Sequence, residues 1–314
     1  MDQAADSLRR RLAPTRSHAP WCRAAIGSLA LVLAPWAAPA PAGLPGDPPS
    51  HPEPKARVAS APADTVGGRR ALDGLPAPRA SAPADPAAQA RRLLAQSKAH
   101  FQTVQDYTCT FYKRERMAGR LSEPNAMVMK ARAHPQSVYF KFIQPNAGRE
   151  AIWVAGKNNG KIVAHEAGIS KVIAGTMHLD PKGGMALEEN RHPITEAGIG
   201  HMIDKVLARW ESDLAHPGAH VVIHPQARVG DRPCTMVEEI HARKESPLQF
   251  HKVRIYIDRE LGLPIRYEGF DWPARAGAEP ELVEEYTFVN LRLNPGLKDR
   301  DFDPKNAQYS FGRF

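Results

Sequence analysis

The sequence predicts an α+β fold in which a large antiparallel sheet dominates and two helices accompany it. Three observations predict it. Long runs of the second two-thirds of the chain alternate apolar and polar residues with period two, the pattern of strands with one buried face. Two separate stretches repeat their apolar residues at helical spacing instead. Turn residues punctuate the alternating runs at hairpin distances. YIDRELGLPIRYEGF (256–270) shows the first and third together: Val253, Ile255 and Ile257 alternate before the turn, and Ile265 and Tyr267 after it. Gly262 closes that turn and supplies a left-handed position.

The first 42 residues read as a secretory signal peptide. Arg9, Arg10, Arg11, Arg16 and Arg23 precede the uncharged apolar run AAIGSLALVLA (24–34), and A-x-A spacing follows at Ala38, Ala40 and Ala42. A basic region, a short apolar core and a small-residue site are its three parts. The apolar run is short for a spanning helix, which needs about 20 residues. Residues 43–84 are rich in Pro, Ala, Gly and Ser, and no Phe, Trp or Tyr occurs between Trp36 and Phe101. Such a segment buries too little apolar surface to offset its ordering entropy, so a disordered linker is expected. The folded domain is then 85–314. Together these predict a periplasmic or other extracytoplasmic protein.

Asp85-Pro86 is an N-cap followed by proline at the first helical position. Ala90, Leu93, Leu94, Ser97, Phe101 and Val104 then share one helical face. After Asp106 the period changes to two, with strands expected near 107–116, 124–133, 136–143, 150–156, 160–166 and 169–177. Lys157-Asn-Asn-Gly-Lys161 is a hairpin signal. A second helix interrupts, with Thr195 as its expected cap and Ile199, Met202, Ile203, Val206, Leu207 and Trp210 as its apolar stripe. Further strands are expected near 219–229, 233–243, 250–258, 263–271 and 281–291.

Chemistry is harder to find. The net charge is +8. Lys and Arg are spread along the strands without a nucleic-acid motif, so nucleic acid is not expected; weak peripheral attraction to an anionic membrane remains open. No G-x-S-x-G elbow, HExxH, CxxC or phosphate-cradling glycine loop occurs. Glu238-Glu239 and Glu284-Glu285 are adjacent on strands and point to opposite faces, a poor arrangement for paired acid/base work. His220 and His224 share a strand face, and Glu189 and His192 lie near the second helix, but no ligand set forms, and no metal or cofactor is expected. Cys109 and Cys234 are either bridged, as an oxidising compartment permits, or buried as free thiols.

Five stretches resemble a family of exported bacterial proteins, domain of unknown function 1571: YTCTFYKRERMAGRL (107–121), FIQPNAGREAIWVAGKNNGKIVAH (142–165), NRHPITEAGIGHMIDKVL (190–207), YIDRELGLPIRYEGFDWP (256–273) and DRDFDPKNAQYSF (299–311). The order of elements also resembles the LolA/LolB outer-membrane lipoprotein carriers. That resemblance implies a strongly curved antiparallel sheet, an unclosed β-barrel, with helices covering its concave side. It also implies a cavity, and non-catalytic binding of a lipid, an acylated protein or another apolar ligand. Expected lining residues are Phe111, Val138, Phe140, Phe142, Ile152, Val154, Ile162, Val253, Ile255 and Ile257, with Met202, Ile203 and Trp210 beneath the helical lid. The alternative is that these residues fill a solid core and the domain binds an envelope protein at its edge or rim. A hydrolase built on the histidine-rich region is the third reading.

Overall fold

A computed structural model of the chain describes residues 85–167 and 175–311. The expected signal peptide and linker lie outside these residues, as does most of the strand expected at 169–177. No helix among the described residues is long and apolar enough to cross a membrane.

Helix α1 (Pro86–Phe101) begins as its sequence dictates. The Asp85 carboxylate accepts the Ala87 and Ala88 N–H groups at 3.0 and 3.3 Å, and proline occupies the first helical position. Ala90, Leu94 and Ser97 are buried on its inner face. Among the described residues, twelve strands follow with two further helices between them: β1 (Asp106–Met117), β2 (Arg120–Leu121), β3 (Asn125–Arg132), β4 (Ser137–Gln144), β5 (Glu150–Val154), β6 (Ile162–His165), β7 (Thr176–Leu179), the single-turn α2 (Gly184–Leu187), α3 (Ile199–Asp213), β8 (Ala219–Val229), β9 (Arg232–His241), β10 (Lys252–Asp258), β11 (Pro264–Phe270) and β12 (Leu282–Leu293).

All pairings are antiparallel, in the order β7-β6-β5-β4-β3-β1-β12-β11-β10-β9-β8, with β2 a spur on β1. The sheet is open, with β7 and β8 as its edges. Pro225 sits where the β8 register slips between His224 and Ala227, and a residue without an N–H is tolerated at such an edge. Both signalled hairpins form. Asn158, Asn159 and Gly160 take left-handed φ of 51°, 54° and 75° between β5 and β6. In the β10–β11 turn Gly262 has φ 63°, and the buried Asp258 accepts the N–H groups of Glu260 and Leu261 at 2.9 Å each.

Helix α3 starts later than Thr195 predicts. Thr195 lies in a 3-10 turn (Ile194–Glu196), and the N-cap is Gly198 at φ 109°. Gly198 has no side chain to cap with, so the Ile199 N–H donates instead to the Tyr107 hydroxyl on β1, at 3.1 Å. An added Cβ on Gly198 would meet that same oxygen at 2.5 Å. The cap is therefore tertiary, which local sequence does not reveal.

One face of the sheet carries the main core. Ala90 and Leu94 of α1 and Ile199, Met202, Ile203, Val206 and Trp210 of α3 pack with sheet residues from Phe140 on β4 to Val253 and Ile255 on β10. The opposite face of β4–β6 is covered by the C-terminal segment: Phe302 and Phe311 pack on Tyr139, Ile152, Val154 and Val163. Cys109 and Cys234 are free and buried. They lie on β1 and β9, four strand steps or about 19 Å apart across the sheet, which settles the question of a bridge between them.

Candidate functional site: a cavity between sheet and helix

The helix-bearing face is not packed throughout. A cavity of about 830 Å³ lies between it and α3, with walls from β1, β3–β7, β11, β12, α2, α3 and the loop at 188–198. This is within the range of about 300–1,000 Å³ usual for small-molecule sites. Met177 and Leu179 on β7 and Tyr267 on β11 share its wall although seven strand steps separate these strands. On a flat sheet that is about 34 Å, nearly three times the roughly 12 Å width of a compact space this size, so the sheet bends around it.

The wall grades from apolar to charged along β1 and β12. Phe111 is opposite Phe288, Lys113 opposite Tyr286, and Glu115 opposite Glu284. Cross-strand partners point to the same face, so one stripe runs from stacked aromatics to buried ionic groups. Phe111 stacks on Phe288 at 4.9 Å and on Phe140 at 5.8 Å. Lys113, Glu115 and Glu284 are 9 %, 2 % and 5 % exposed.

Two carboxylates facing each other need compensation, and the loop before α3 brings it. Lys113 Nζ donates to Glu115 at 3.1 Å and to Asn190. The Tyr286 hydroxyl donates to Glu115 at 2.6 Å, and the Arg191 backbone N–H at 3.0 Å. Arg191 Nε donates to Glu284 at 3.0 Å, and His192 Nε2 lies 3.0 Å from the same oxygen. Lys205 Nζ is 3.0 Å from His192 Nδ1. A lysine only donates, so Nδ1 accepts and Nε2 carries the proton toward Glu284. Burial alone would raise the Glu284 pKa, but His192 and Arg191 outweigh it and hold the group below its ordinary value. Burial, with Glu284 and Glu115 beside it, pushes the Tyr286 pKa far up, so its hydroxyl stays a donor.

A second ionic cluster stands around Arg209 and Asp213 of α3, both on the cavity wall. Trp210 Nε1 donates to Glu239 at 2.6 Å, His241 Nε2 lies 2.8 Å from the same carboxylate, and Arg209 is 3.0 Å from Asp213. Arg209 also donates to the Tyr267 hydroxyl at 3.1 Å and sits over the Phe250 ring. Asp213, Glu239 and His241 bring three possible ligand atoms within 4.8 Å of one another. The Arg209 guanidinium supplies a cation there, 3.0 Å from Asp213 and 3.7 Å from Glu239, while His241 Nδ1 is buried without a hydrogen-bond partner.

The sequence profile of the family described as protein of unknown function DUF1571 matches residues 104–311, well over half of the chain. The chain belongs to this family. No curated protein matches it. Among solved structures, the DUF1571 chain is similar to the lipoprotein LppX of Mycobacterium tuberculosis, at 12 % identity and TM-score 0.38 over 68 % of this chain and 98 % of that one. It is similar to a putative outer membrane lipoprotein-sorting protein domain from Vibrio parahaemolyticus, at 12 % identity and TM-score 0.32 over 69 % and 97 %. A LolA superfamily protein from Nitrosomonas europaea matches at 9 % identity and TM-score 0.28 over 68 % and 97 %.

Of the thirteen residues expected to line a cavity, the DUF1571 structure places Phe111, Phe140, Phe142, Ile162 and Met202 on its wall. Val138 and Ile203 face a smaller cavity of about 410 Å³ beside α1. Trp210, Val253 and Ile255 are in the solid core beneath the helices. Ile152 and Val154 lie on the other side of the sheet, because the register pairs Ile152 with Tyr139 rather than Phe140. Ile257 is buried but belongs to neither cluster. The half-barrel is thus hollow at one end and filled at the other.

The polar wall was not anticipated. Its signal is present: Lys113 and Glu115 continue the parity of Phe111, as Tyr286 and Glu284 continue that of Phe288. Only the pairing of β1 with β12 makes it one patch. The adjacent glutamates do separate as strand parity requires. Glu239 and Glu284 face inward, while Glu238 binds Arg254 at 2.6 Å and Glu285 binds Arg266 at 2.9 Å on the other face. His220 joins no ligand cluster among the described residues, and His224 reaches only Glu238, at 3.9 Å.

Proposed function

We propose that this protein binds an apolar ligand non-covalently in the cell envelope, a lipid or the acyl chain of an acylated protein, as a carrier or sensor. The observation that supports it is the 830 Å³ cavity floored by Phe111, Phe140, Phe142, Ile162 and Met202. Each methylene taken from water into such a space contributes about 0.8 kcal/mol, so one acyl chain binds usefully without any cofactor. The N-terminal 42 residues would export the chain, and the segment 43–84 would let the domain reach away from a membrane.

The binding reading assigns no covalent step. His192 has its two ring nitrogens engaged by Glu284 and Lys205.

Native mass spectrometry of protein purified from the envelope without detergent tests the reading. Stoichiometric lipid or acylated peptide is expected, and Phe142→Asp, at the half-buried cavity wall, is expected to lose it while keeping its circular dichroism. Empty protein that also refuses an apolar fluorescent probe would instead favour a domain that binds an envelope partner at its edge or rim.

A further inference from the structure

The charges around the cavity say what kind of polar end its ligand carries. Every lysine and arginine of the wall is already held by a carboxylate. Lys113 is held by Glu115 at 3.1 Å and Arg191 by Glu284 at 3.0 Å. Arg149 is held by Glu166 and Glu189 at 3.0 and 2.8 Å. Lys205 is held by Glu196, and Arg209 by Asp213 at 3.0 Å. The acids also outnumber these five bases. Eight aspartates and glutamates contribute to the wall, and seven remain when Glu150, whose carboxylate meets Tyr139 and Ser310 on the other face, is set aside. Burial beside Glu239 raises the Asp213 pKa, yet counting it neutral still leaves six acids against five bases.

The unmatched charge lies where Glu166 and Glu189 share one cation, Arg149, at 3.0 and 2.8 Å, and spare acceptor capacity lies on Glu284. Arg191 Nε, His192 Nε2 and the Tyr286 hydroxyl all approach Oε2 of Glu284, at 3.0, 3.0 and 3.5 Å. Oε1 of Glu284, a residue of the cavity wall, takes no hydrogen bond among the described residues. This is the reverse of the chain as a whole, which carries +8. An anionic headgroup would be drawn to the surface of the molecule, but inside the cavity it would meet surplus carboxylate and have to break an existing pair to find a cation. An ammonium would meet carboxylates with acceptor capacity to spare.

We propose, on the strength of the apolar-container reading, that the cavity selects an amphiphile with an apolar chain and a cationic amine at its polar end, and discriminates against one ending in a carboxylate or phosphate. Glu284 and Glu189 are the recognising groups, one deep on the wall and one at its exposed rim.

The test is calorimetric titration of the full-length protein with decylamine, decanol and decanoate below their aggregation limits at neutral pH. Decylamine is expected to bind about tenfold tighter than decanoate, the scale of one partly desolvated charge contact, with decanol between. Glu284→Gln is expected to narrow that gap, and so is Glu189→Gln, whose exposed side chain makes misfolding an implausible cause. Decanoate binding as tightly as decylamine, or an unchanged gap in both variants, overturns the inference and leaves the container standing. Failure of all three probes to bind overturns the container reading and this inference with it.

Discussion

At the scale of single residues, the fold keeps its buried ionic groups by surrounding each with donors. Asp258 is fully buried at the β10–β11 turn, where Arg232 donates to both carboxylate oxygens at 2.6 and 2.8 Å and two backbone N–H groups close the set. Burial alone would raise its pKa, but the Arg232 and backbone hydrogen bonds outweigh it, and the folded-state value is lowered. A carboxyl lowered in the fold stabilises fully above its unfolded value of about 3.9 and loses that contribution as pH falls through the lower folded value. Asp258→Asn keeps the shape and removes the charge. It is expected to cost about 1.5–3 kcal/mol at neutral pH, the range for hydrogen bonds to charged groups. Urea denaturation should show that cost shrinking as pH is lowered below about 4; a cost unchanged at the lowest accessible pH would mean that shape, not charge, is what the turn needs.

At the scale of elements, α3 shows how much local sequence conveys. Its apolar stripe was legible, and five of the six residues named for it are in the buried core. Its start was not, because the Tyr107 hydroxyl that caps it comes from a strand 92 positions away. Gly198→Ala is expected to destabilise by about 2–4 kcal/mol, combining a disfavoured positive φ with collision against that hydroxyl. Gly119→Ala is the matching control, with φ 80° but nothing within 4 Å of the added Cβ. Comparing their urea midpoints separates backbone strain from lost capping: equal losses would mean that the Tyr107 contact contributes nothing. The strands were legible for a different reason. Period two survives where one face is more buried than the other, and β8 forms on the residues expected, 219–229. Which face is buried is another matter. Val138, Tyr139 and Phe140 are all buried, because the helices cover one side of β4 and the C-terminal segment the other. Alternation cannot separate two covered faces, and this is why Ile152 and Val154 were expected on the cavity wall.

At the scale of the whole molecule, one sheet has two differently filled ends. Beneath α1 and α3 the strands β9–β11 meet a packed core of Trp210, Val237, Ile255 and Leu263. Toward β6 and β7 the same face meets the cavity, and β7 is a four-residue edge strand with no buried residue. Local opening follows buried apolar contacts and paired neighbours, so the two ends should differ in stability. Hydrogen-exchange mass spectrometry is expected to find the slowest amides in β1, β10, β11 and β12 and the fastest strand amides in β6 and β7. The difference also exposes the binding reaction. A ligand that binds only the folded cavity stabilises what it touches by mass action. Saturating decylamine should therefore slow exchange in β5–β7 and in the first turns of α3, and leave β9 and β10 unchanged. Uniform slowing across the sheet would mean that the amphiphile coats the surface, whereas slowing confined to the hollow end would place it between sheet and helix.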